Sequence, residues 1–225
     1  MLVENNVALQ PYNSFGIAAR AQQLVRVRHS ADVAALLAAP EWAATPRFVL
    51  GGGSNLVITG DIKALVLKVE IAGRRLVEET PKGWLVEAGA GENWHDFVAW
   101  TLTQGWPGLE NLALIPGTVG ASPIQNIGAY GVQVGEFIQA VEAWDRQVGE
   151  WVRLDNEQCA FGYRDSVFKQ QPDRYLITAV ELRLPLLHEL RMDYAGIAEE
   201  LQAQGVETPS AVDVEKVGER KQFRT

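Results

Sequence analysis

The sequence predicts a mixed α/β (α+β) fold, and three observations indicate it. Short apolar runs of strand length alternate with stretches whose apolar residues recur at helical spacing. A strand, a helix, a second strand and a glycine-rich turn fit within about thirty residues, the size of one βαβ unit. From Ile71 to Ala88 the pattern changes to strand-like runs broken at 81–83, which is typical of an antiparallel hairpin.

The first seventy residues contain the predicted βαβ unit. Leu24–Val27 is its first strand, and Ser30 is predicted to cap a helix over Ala31–Ala39. Phe48–Leu50 is its second strand and runs directly into glycines. Ala64–Val69 is predicted to be a further buried strand, and we place a subdomain boundary near residue 70.

The next stretch predicts a second α/β unit. Asn93 is predicted to cap a helix that runs through Thr103. Two strands, Phe137–Trp144 and Trp151–Leu154, flank a turn-sized polar gap, and Tyr175–Leu184 supplies one more alternating strand. The sequence therefore predicts continued strand and helix up to residue 187.

The composition changes from His188 onward, where 13 of 38 residues are charged. Met192–Gln204 is predicted to be an amphipathic helix, and the last fifteen residues have little to pack. We therefore divide the chain into subdomain 1 (1–70), subdomain 2 (71–187) and a divergent tail (188–225).

Charge and composition exclude several classes of function. With 20 Lys and Arg against 28 Asp and Glu, the net charge of -8 offers no basic field for nucleic acid. One cysteine, Cys159, and three histidines predict neither an internal disulfide nor a metal site. The start of the chain lacks a secretory pattern, and the uncharged stretch Asn111–Gly135 is too rich in Gly, Pro, Asn and Gln to span a membrane. We expect a cytoplasmic protein.

Glycines that follow a strand are the first functional signal. Gly51, Gly52 and Gly53 precede Ser54 and Asn55, so this turn can offer several backbone N–H groups and a hydroxyl to a phosphate. The pattern matches no established phosphate-loop fingerprint. A turn with spare glycines explains it equally well.

The uncharged stretch Ile115–Gly131 is the second signal. It mixes small residues, hydroxyls and amides, which suits an extended wrap around a large, flat and partly apolar ligand. A structureless loop of this length in a compact domain is usually functional. The alternative is a buried glycine-rich crossover that binds no ligand.

The third signal is Phe161–Ser166. Arg164, flanked by Tyr163 and Asp165, can present a fixed guanidinium to a carboxylate or a developing oxyanion. A purely structural contact between Arg164 and Asp165 is the alternative. Cys159 has no neighbouring charge cluster that would activate it, so we do not expect it to be a nucleophile.

Six ordered motifs together resemble the UDP-N-acetylenolpyruvoylglucosamine reductase family, flavoenzymes that make UDP-N-acetylmuramate for bacterial peptidoglycan. The resemblance covers roughly residues 10–187. The motifs that carry it are Tyr12–Gly16, Gly51–Asn55, Gly89–His95, Gly108–Gly117, Ser122–Gly131 and Phe161–Ser166.

The resemblance implies a two-subdomain FAD-binding fold of the vanillyl-alcohol-oxidase (PCMH) type, with FAD between the subdomains. The first glycine turn would hold the pyrophosphate, and the long loop would line the adenosine and isoalloxazine portions. The cofactor-binding residues so implied are Gly51, Gly52, Gly53, Ser54, Asn55, Leu56, Ile115, Pro116, Gly117, Gly120, Ala121, Ser122, Gln125, Asn126, Gly128, Tyr130 and Gly131.

The resemblance also implies a reaction. NADPH reduces FAD, and the flavin passes hydride to the enolpyruvyl double bond of the UDP-sugar substrate. By similarity Arg164 is the catalytic residue that polarises the substrate carboxylate, and Tyr163 and Tyr194 join it in binding substrate. No membrane or nucleic-acid partner is implied.

The chain also departs from the family. Family members carry a Gly-Ser-Phe-Phe-type motif, whose serine protonates the intermediate, and a C-terminal glutamate, and neither is in this sequence. We expect the C-terminal substrate-binding domain to be lacking and the surface it normally covers to promote self-association. The alternative function is a catalytically silent flavin-binding fragment or module. A different oxidase with covalent flavin would need a His or Cys in the glycine-rich loops, which have none.

Overall fold

The computed structural model describes residues 2–42, 44–193 and 196–222, and it is built on two main β-sheets. Its strands are β1 (Val3–Ala8), β2 (Arg20–Val27), β3 (Arg47–Leu50), β4 (Ile62–Val69), β5 (Arg74–Thr80), β6 (Gly83–Gly89), β7 (Gly128–Ala129), β8 (Val132–Gln133), β9 (Ile138–Asp145), β10 (Glu150–Asp155) and β11 (Tyr175–Leu184). Its helices are α1 (Ser30–Ala38), α2 (Trp94–Thr103), α3 (Val167–Gln170), α4 (Ile197–Ala203) and α5 (Ala211–Gln222).

The first sheet has the strand order β1-β2-β4-β3, with β2, β4 and β3 parallel and β1 antiparallel at the edge. The predicted unit of strand, helix and strand is therefore present as β2, α1 and β3. Its two strands are not neighbours, because β4 lies between them. The cap of α1 is His29 rather than Ser30, since the His29 N–H donates to the Asp32 carboxylate at 3.0 Å.

The second sheet is antiparallel throughout, in the order β10-β9-β11-β6-β5. The predicted hairpin is β5 and β6, and the predicted helix is α2. The Asn93 side chain caps α2 by accepting from the Asp96 N–H at 3.0 Å, while Trp94, Phe97 and Val98 are buried. The mixed α/β (α+β) class is confirmed.

One large hydrophobic cluster joins the two sheets. It contains Val25 and Leu67 of the first sheet together with Val86 and Val141 of the second. A smaller cluster lies on the other face of the first sheet. Residues of both sheets belong to the main cluster, so the packing does not separate two subdomains, and the boundary near residue 70 stays a prediction.

The C-terminal region differs from the sequence-based expectation. Within the stretch 192–204, where one helix was predicted, the structure has the shorter helix α4, and Ala211–Gln222 form a further helix, α5. Ile197 and Leu201 of α4 pack against Val214 and Val217 of α5. The prediction that the last fifteen residues have little to pack was wrong for the part that the structure describes, because Val214 and Val217 of α5 pack against α4.

Candidate functional site between two glycine loops

The first glycine loop, Gly51–Asn55, starts where β3 ends. Gly53 is buried with a φ of +66°, and a Cβ at this position would overlap the carbonyl oxygen of Tyr12. Only glycine fits such a close approach without moving the backbone. Within the described part of the chain, the backbone N–H groups of residues 52–56 donate to no protein acceptor.

The first glycine loop is supported by contacts of charged and aromatic side chains. The Lys68 ammonium donates to the Gly51 carbonyl oxygen at 2.6 Å and lies 5.8 Å from the centre of the Tyr12 ring. Arg26 donates to the Tyr12 hydroxyl at 2.8 Å and pairs with Glu4 at 2.7 Å. Burial lowers the pKa of Lys68. These contacts hold the loop in place and put one cation, Lys68, next to it.

The second glycine loop, Pro116–Ser122, lies directly against the first. The Ser54 hydroxyl donates to the Pro116 carbonyl oxygen at 3.0 Å. A Cβ on Gly52 would meet the Gly117 Cα at 3.0 Å, and one on Gly51 would meet the Thr118 hydroxyl at 3.0 Å. The two loops therefore approach each other through backbone, which side chains at these positions would prevent.

A cavity of about 330 Å³ opens beside this contact. Its far wall includes the aromatic rings of Phe168 and Tyr175, whose centroids are 5.5 Å apart. Burial raises the pKa of Tyr175. The cavity thus combines backbone polar groups with apolar ring surface. Its lining is Val49, Gly51, Val69, Ala90, Thr118, Gly120, Ala121, Ile124, Phe168, Lys169, Pro172, Asp173, Tyr175 and Ile177.

The stretch over 115–131 is not a structureless loop, which corrects the sequence-based expectation. It contains a 3-10 turn over Val119–Ala121 and the first strand of the small β7–β8 hairpin. Asn126 explains the order, because its amide donates to the Gly162 carbonyl oxygen and accepts from the Gly135 N–H. Such long-range partners cannot be seen in a local sequence pattern.

The predicted cofactor residues occupy different places. Gly51, Gly120 and Ala121 line the cavity, and Gly52, Gly53, Ser54, Pro116 and Gly117 form the contact between the loops. Ser122 and Asn126 are buried and bonded within the protein, and the Gly131 carbonyl oxygen accepts from Arg191. Leu56 packs on the small hydrophobic cluster, Ile115 on the main cluster and Tyr130 against the α4–α5 cluster. Asn55 is exposed, and Gln125 and Gly128 are half-buried.

Arg164 lies at the edge of this long loop. Its guanidinium donates to the Gly128 carbonyl oxygen at 2.7 Å, and its φ is +54°. The Lys169 ammonium donates to the Arg164 carbonyl oxygen at 2.7 Å. Tyr163 is 84% exposed, so its ring is open to a ligand. Tyr194 lies outside the described residues.

Comparison with known proteins decides the family. The FAD binding domain family matches residues 21–155, which include β2 to β10 and both glycine loops. The chain belongs to the FAD-binding domain family. FAD is therefore its cofactor.

Individual relatives of the chain are named as reductases of one kind. The chain is 57% identical over 218 residues to UDP-N-acetylenolpyruvoylglucosamine reductase of Azoarcus sp. (strain BH72), covering 95% of this chain and 63% of the relative. It is 56% identical to the protein of that name from Xanthomonas axonopodis pv. citri, covering 92% and 59%. The chain thus spans about three fifths of the length of these curated relatives.

A solved structure shares the fold. The crystal structure of UDP-N-acetylenolpyruvylglucosamine reductase from Thermus caldophilus superposes with a TM-score of 0.66 at 26% identity, covering 93% of this chain and 71% of the other. Together with the family match, this likeness confirms the predicted FAD-binding fold.

The residues present fit FAD. In the part of the chain that the structure describes, the N–H groups of residues 52–56 donate to no protein acceptor, so they are available to a pyrophosphate. Side chains at Gly52 and Gly53 would meet backbone, so a ligand here is held by main-chain groups. The Lys68 ammonium, next to the Gly51 carbonyl oxygen, favours the negative charge, whereas the charge of Arg26 is offset by Glu4 and Glu70. Ser54 donates to protein instead, so its hydroxyl can only accept from a ligand while this bond is in place.

Sequence reasoning missed Lys68 and Tyr12 as site residues. Lys68 is the only charged residue in the apolar run Ala64–Val69, a signal that could have identified it. Glu110 is a further residue that the sequence did not assign to the site. Its carboxylate is buried, accepts from the Gly108 N–H at 2.7 Å and contacts the His188 ring. Glu110 therefore anchors the start of the long loop to the C-terminal region.

Other chemical groups lie away from the cavity. Three carboxylates, Glu87, Glu142 and Glu181, cluster on the second sheet, and Arg75 and Arg153 pair with two of them. Burial raises the pKa of the Cys159 thiol to about 12, which agrees with the expectation that it is no nucleophile.

Among the helices described, none combines the length and apolarity needed to cross a bilayer.

Proposed function

We propose that the protein acts in the NADPH-driven, FAD-dependent reduction of UDP-N-acetylglucosamine enolpyruvate to UDP-N-acetylmuramate, a step of peptidoglycan precursor synthesis. The observation that carries the proposal is the 57% identity over 218 residues to a relative named for this reaction. The cavity beside two backbone-lined loops supports it, because a flavin nucleotide needs both phosphate donors and apolar surface.

Bound FAD would supply the hydride chemistry, and the chain's own residues would bind and orient. Residues 52–56 would donate N–H groups to the pyrophosphate. Arg164, steadied by the Gly128 carbonyl oxygen, would hold the substrate carboxylate and stabilise negative charge that develops next to it. Tyr163, exposed beside Arg164, and Tyr194 would contact the UDP-sugar.

The first experiment loads the purified protein with FAD, removes free flavin and adds NADPH without oxygen. We expect the flavin colour to bleach, and subsequent addition of the enolpyruvyl sugar nucleotide to restore it with formation of product. Protein that retains no flavin, or flavin that NADPH does not bleach, would contradict the proposal.

Arg164→Ala tests the assigned role. We expect flavin reduction by NADPH to be unchanged and sugar-nucleotide reduction to fall by roughly 10²–10³-fold, as for loss of one oxyanion donor. Arg75→Ala is the matched control, because Arg75 is exposed and pairs only with Glu87 among the described residues. Equal turnover in both variants would remove Arg164 from the site.

A flavin-binding module that does not turn over the sugar nucleotide is the second candidate. The observation that favours it is the match of residues 21–155 to a family described by FAD binding alone. Bleaching by NADPH without product formation would support it. Self-association and a cytoplasmic location stay predictions.

A further inference from the structure

Arg164, the candidate catalytic residue, lies on a tight turn formed by residues 162–165. Gly162 and Asp165 exchange both backbone hydrogen bonds, at 3.0 and 3.2 Å, and Arg164 occupies the third position of the turn with a φ of +54°. A positive φ at this position normally selects glycine or asparagine, because a larger side chain is strained there. The direction of the Arg164 side chain therefore depends on what holds this turn from outside.

Asn126, in the long loop, holds the turn. Its side chain is buried, and its amide group donates to the Gly162 carbonyl oxygen at 2.9 Å and to Gln133 Oε1 at 2.9 Å. Its Oδ1 accepts from the Gly135 N–H at 2.8 Å. Both amide N–H groups and the amide oxygen have partners, so the side chain has one defined orientation and links the turn to the β7–β8 hairpin.

The long loop also binds this segment through backbone on either side of Asn126. The Ile124 carbonyl oxygen accepts from the Ser166 hydroxyl at 2.7 Å, and the Gly128 carbonyl oxygen accepts from the Arg164 guanidinium at 2.7 Å. Since Ile124 lines the cavity of about 330 Å³, these contacts set the position of Arg164 relative to that cavity. Of the three loop groups, only the Asn126 amide is a side chain, so a substitution in the loop can remove it.

We propose that Asn126 is a positioning residue for reduction of the sugar nucleotide, because its amide fixes the 162–165 turn and so orients the Arg164 guanidinium toward the substrate carboxylate. The inference rests on the proposed function, since it depends on the role of Arg164. The Asn126 amide is bonded to protein on every side and therefore acts through Arg164. Displacement of a reacting group by about 1 Å can lower a rate about hundredfold, so the support of this turn matters for turnover.

The test compares Asn126→Asp with the wild type, both loaded with FAD. The new carboxylate keeps an acceptor for the Gly135 N–H but removes the donor to the Gly162 carbonyl oxygen. We expect NADPH to bleach the flavin at the wild-type rate, and reoxidation by the enolpyruvyl sugar nucleotide to slow by roughly tenfold to hundredfold. In an Arg164→Ala background the same substitution should cost less than about twofold, because the two residues act as one unit.

Limited digestion with trypsin measures the turn without any turnover. Arg164 is exposed, so loss of one hydrogen bond that holds its turn should speed cleavage after it roughly tenfold, as mass spectrometry would show. Asn13→Asp is the matched control, because Asn13 is also buried, donates to the Leu9 and Ile17 carbonyl oxygens and accepts from the Ile17 N–H. It should leave cleavage after Arg164 unchanged, and any effect on turnover should add to that of Arg164→Ala.

The possible outcomes separate this inference from the proposed function. An unchanged reoxidation rate, cleavage no faster than in Asn13→Asp, or effects that add to those of Arg164→Ala would overturn the inference. If Asn126→Asp does not retain FAD, the uncharged and shorter Asn126→Ser repeats the test, and loss of FAD from both would overturn it by making Asn126 part of the cofactor site. Wild-type protein that NADPH bleaches but the sugar nucleotide does not reoxidise would contradict the proposed function, and cleavage after Arg164 would still decide whether Asn126 holds the turn.

Discussion

Gly53→Ala tests most directly how the first glycine loop works. The residue has a φ of +66°, a conformation that costs an L-residue roughly 1–2 kcal/mol. Its new methyl group would lie 2.9 Å from the Tyr12 carbonyl carbon and 3.1 Å from the Asn13 Cα. The nearest contact, with the Tyr12 carbonyl oxygen, is tighter still, and because carbon and oxygen prefer about 3.3 Å or more, the loop must shift by roughly 1 Å or more.

The shift has two consequences. Backbone strain and overpacking together should lower the free energy of unfolding by about 3 kcal/mol. The displaced loop should lose at least one N–H bond to the cofactor pyrophosphate, which corresponds to roughly tenfold to hundredfold weaker FAD binding. Urea unfolding of the flavin-free protein measures the first effect, and quenching of flavin fluorescence on titration measures the second.

Two control glycines separate strain from loop position. Gly105 has a φ of +77° and nothing within 4 Å of its would-be Cβ, so Gly105→Ala should cost stability without weakening FAD binding. Gly60 has open space and no positive φ, so Gly60→Ala should change neither property. If Gly53→Ala binds FAD as tightly as Gly105→Ala, the loop does not hold the cofactor.

Three further predictions concern the fold. Asn93→Ala should lower the free energy of unfolding by about 1 kcal/mol through loss of the α2 cap, and an unchanged urea midpoint would refute this. Burial, followed by two neighbouring carboxylates, raises the pKa of Glu142, so its ionised form destabilises the protein as pH rises above the ordinary range of a glutamate. Glu142→Gln should therefore stabilise the protein more at pH 7 than at pH 4, and an equal gain in thermal midpoint at both would contradict the reasoning. Cys159, with a pKa of about 12, should resist alkylation at pH 8 until denaturant is added, as mass spectrometry would show.

Elements specified by local signals were predicted well. The turn over 81–83, the cap at Asn93 and the strand Tyr175–Leu184 are all found in the structure, because each depends on residues close together in sequence. The C-terminal prediction failed for the opposite reason. Helix α5 is stabilised by contacts of Val214 and Val217 with α4, and half of its own residues are charged.

Parts of the site were less predictable because they depend on contacts between residues far apart in sequence. The glycine positions could be read directly, but the partners they approach could not. Asn126 reads as a ligand-facing amide in sequence, yet its bond to Gly162 spans 36 residues and is made within the protein. In the sequence, Lys68 is a charged residue within an apolar strand, and only the fold shows that its ammonium donates to the Gly51 carbonyl oxygen.

The sequence by itself determined α1, α2 and most strands of the two main sheets, the two glycine-rich turns and the resemblance to a flavoenzyme family, since these depend on periodicity and motif order. Only the tertiary structure decided that the Ser54 loop meets the Pro116 loop and that Asn126 reaches the turn of Arg164. The physical reason is strand order. Insertion of β4 between β2 and β3, and packing of one sheet on the other, bring together residues that no local pattern connects.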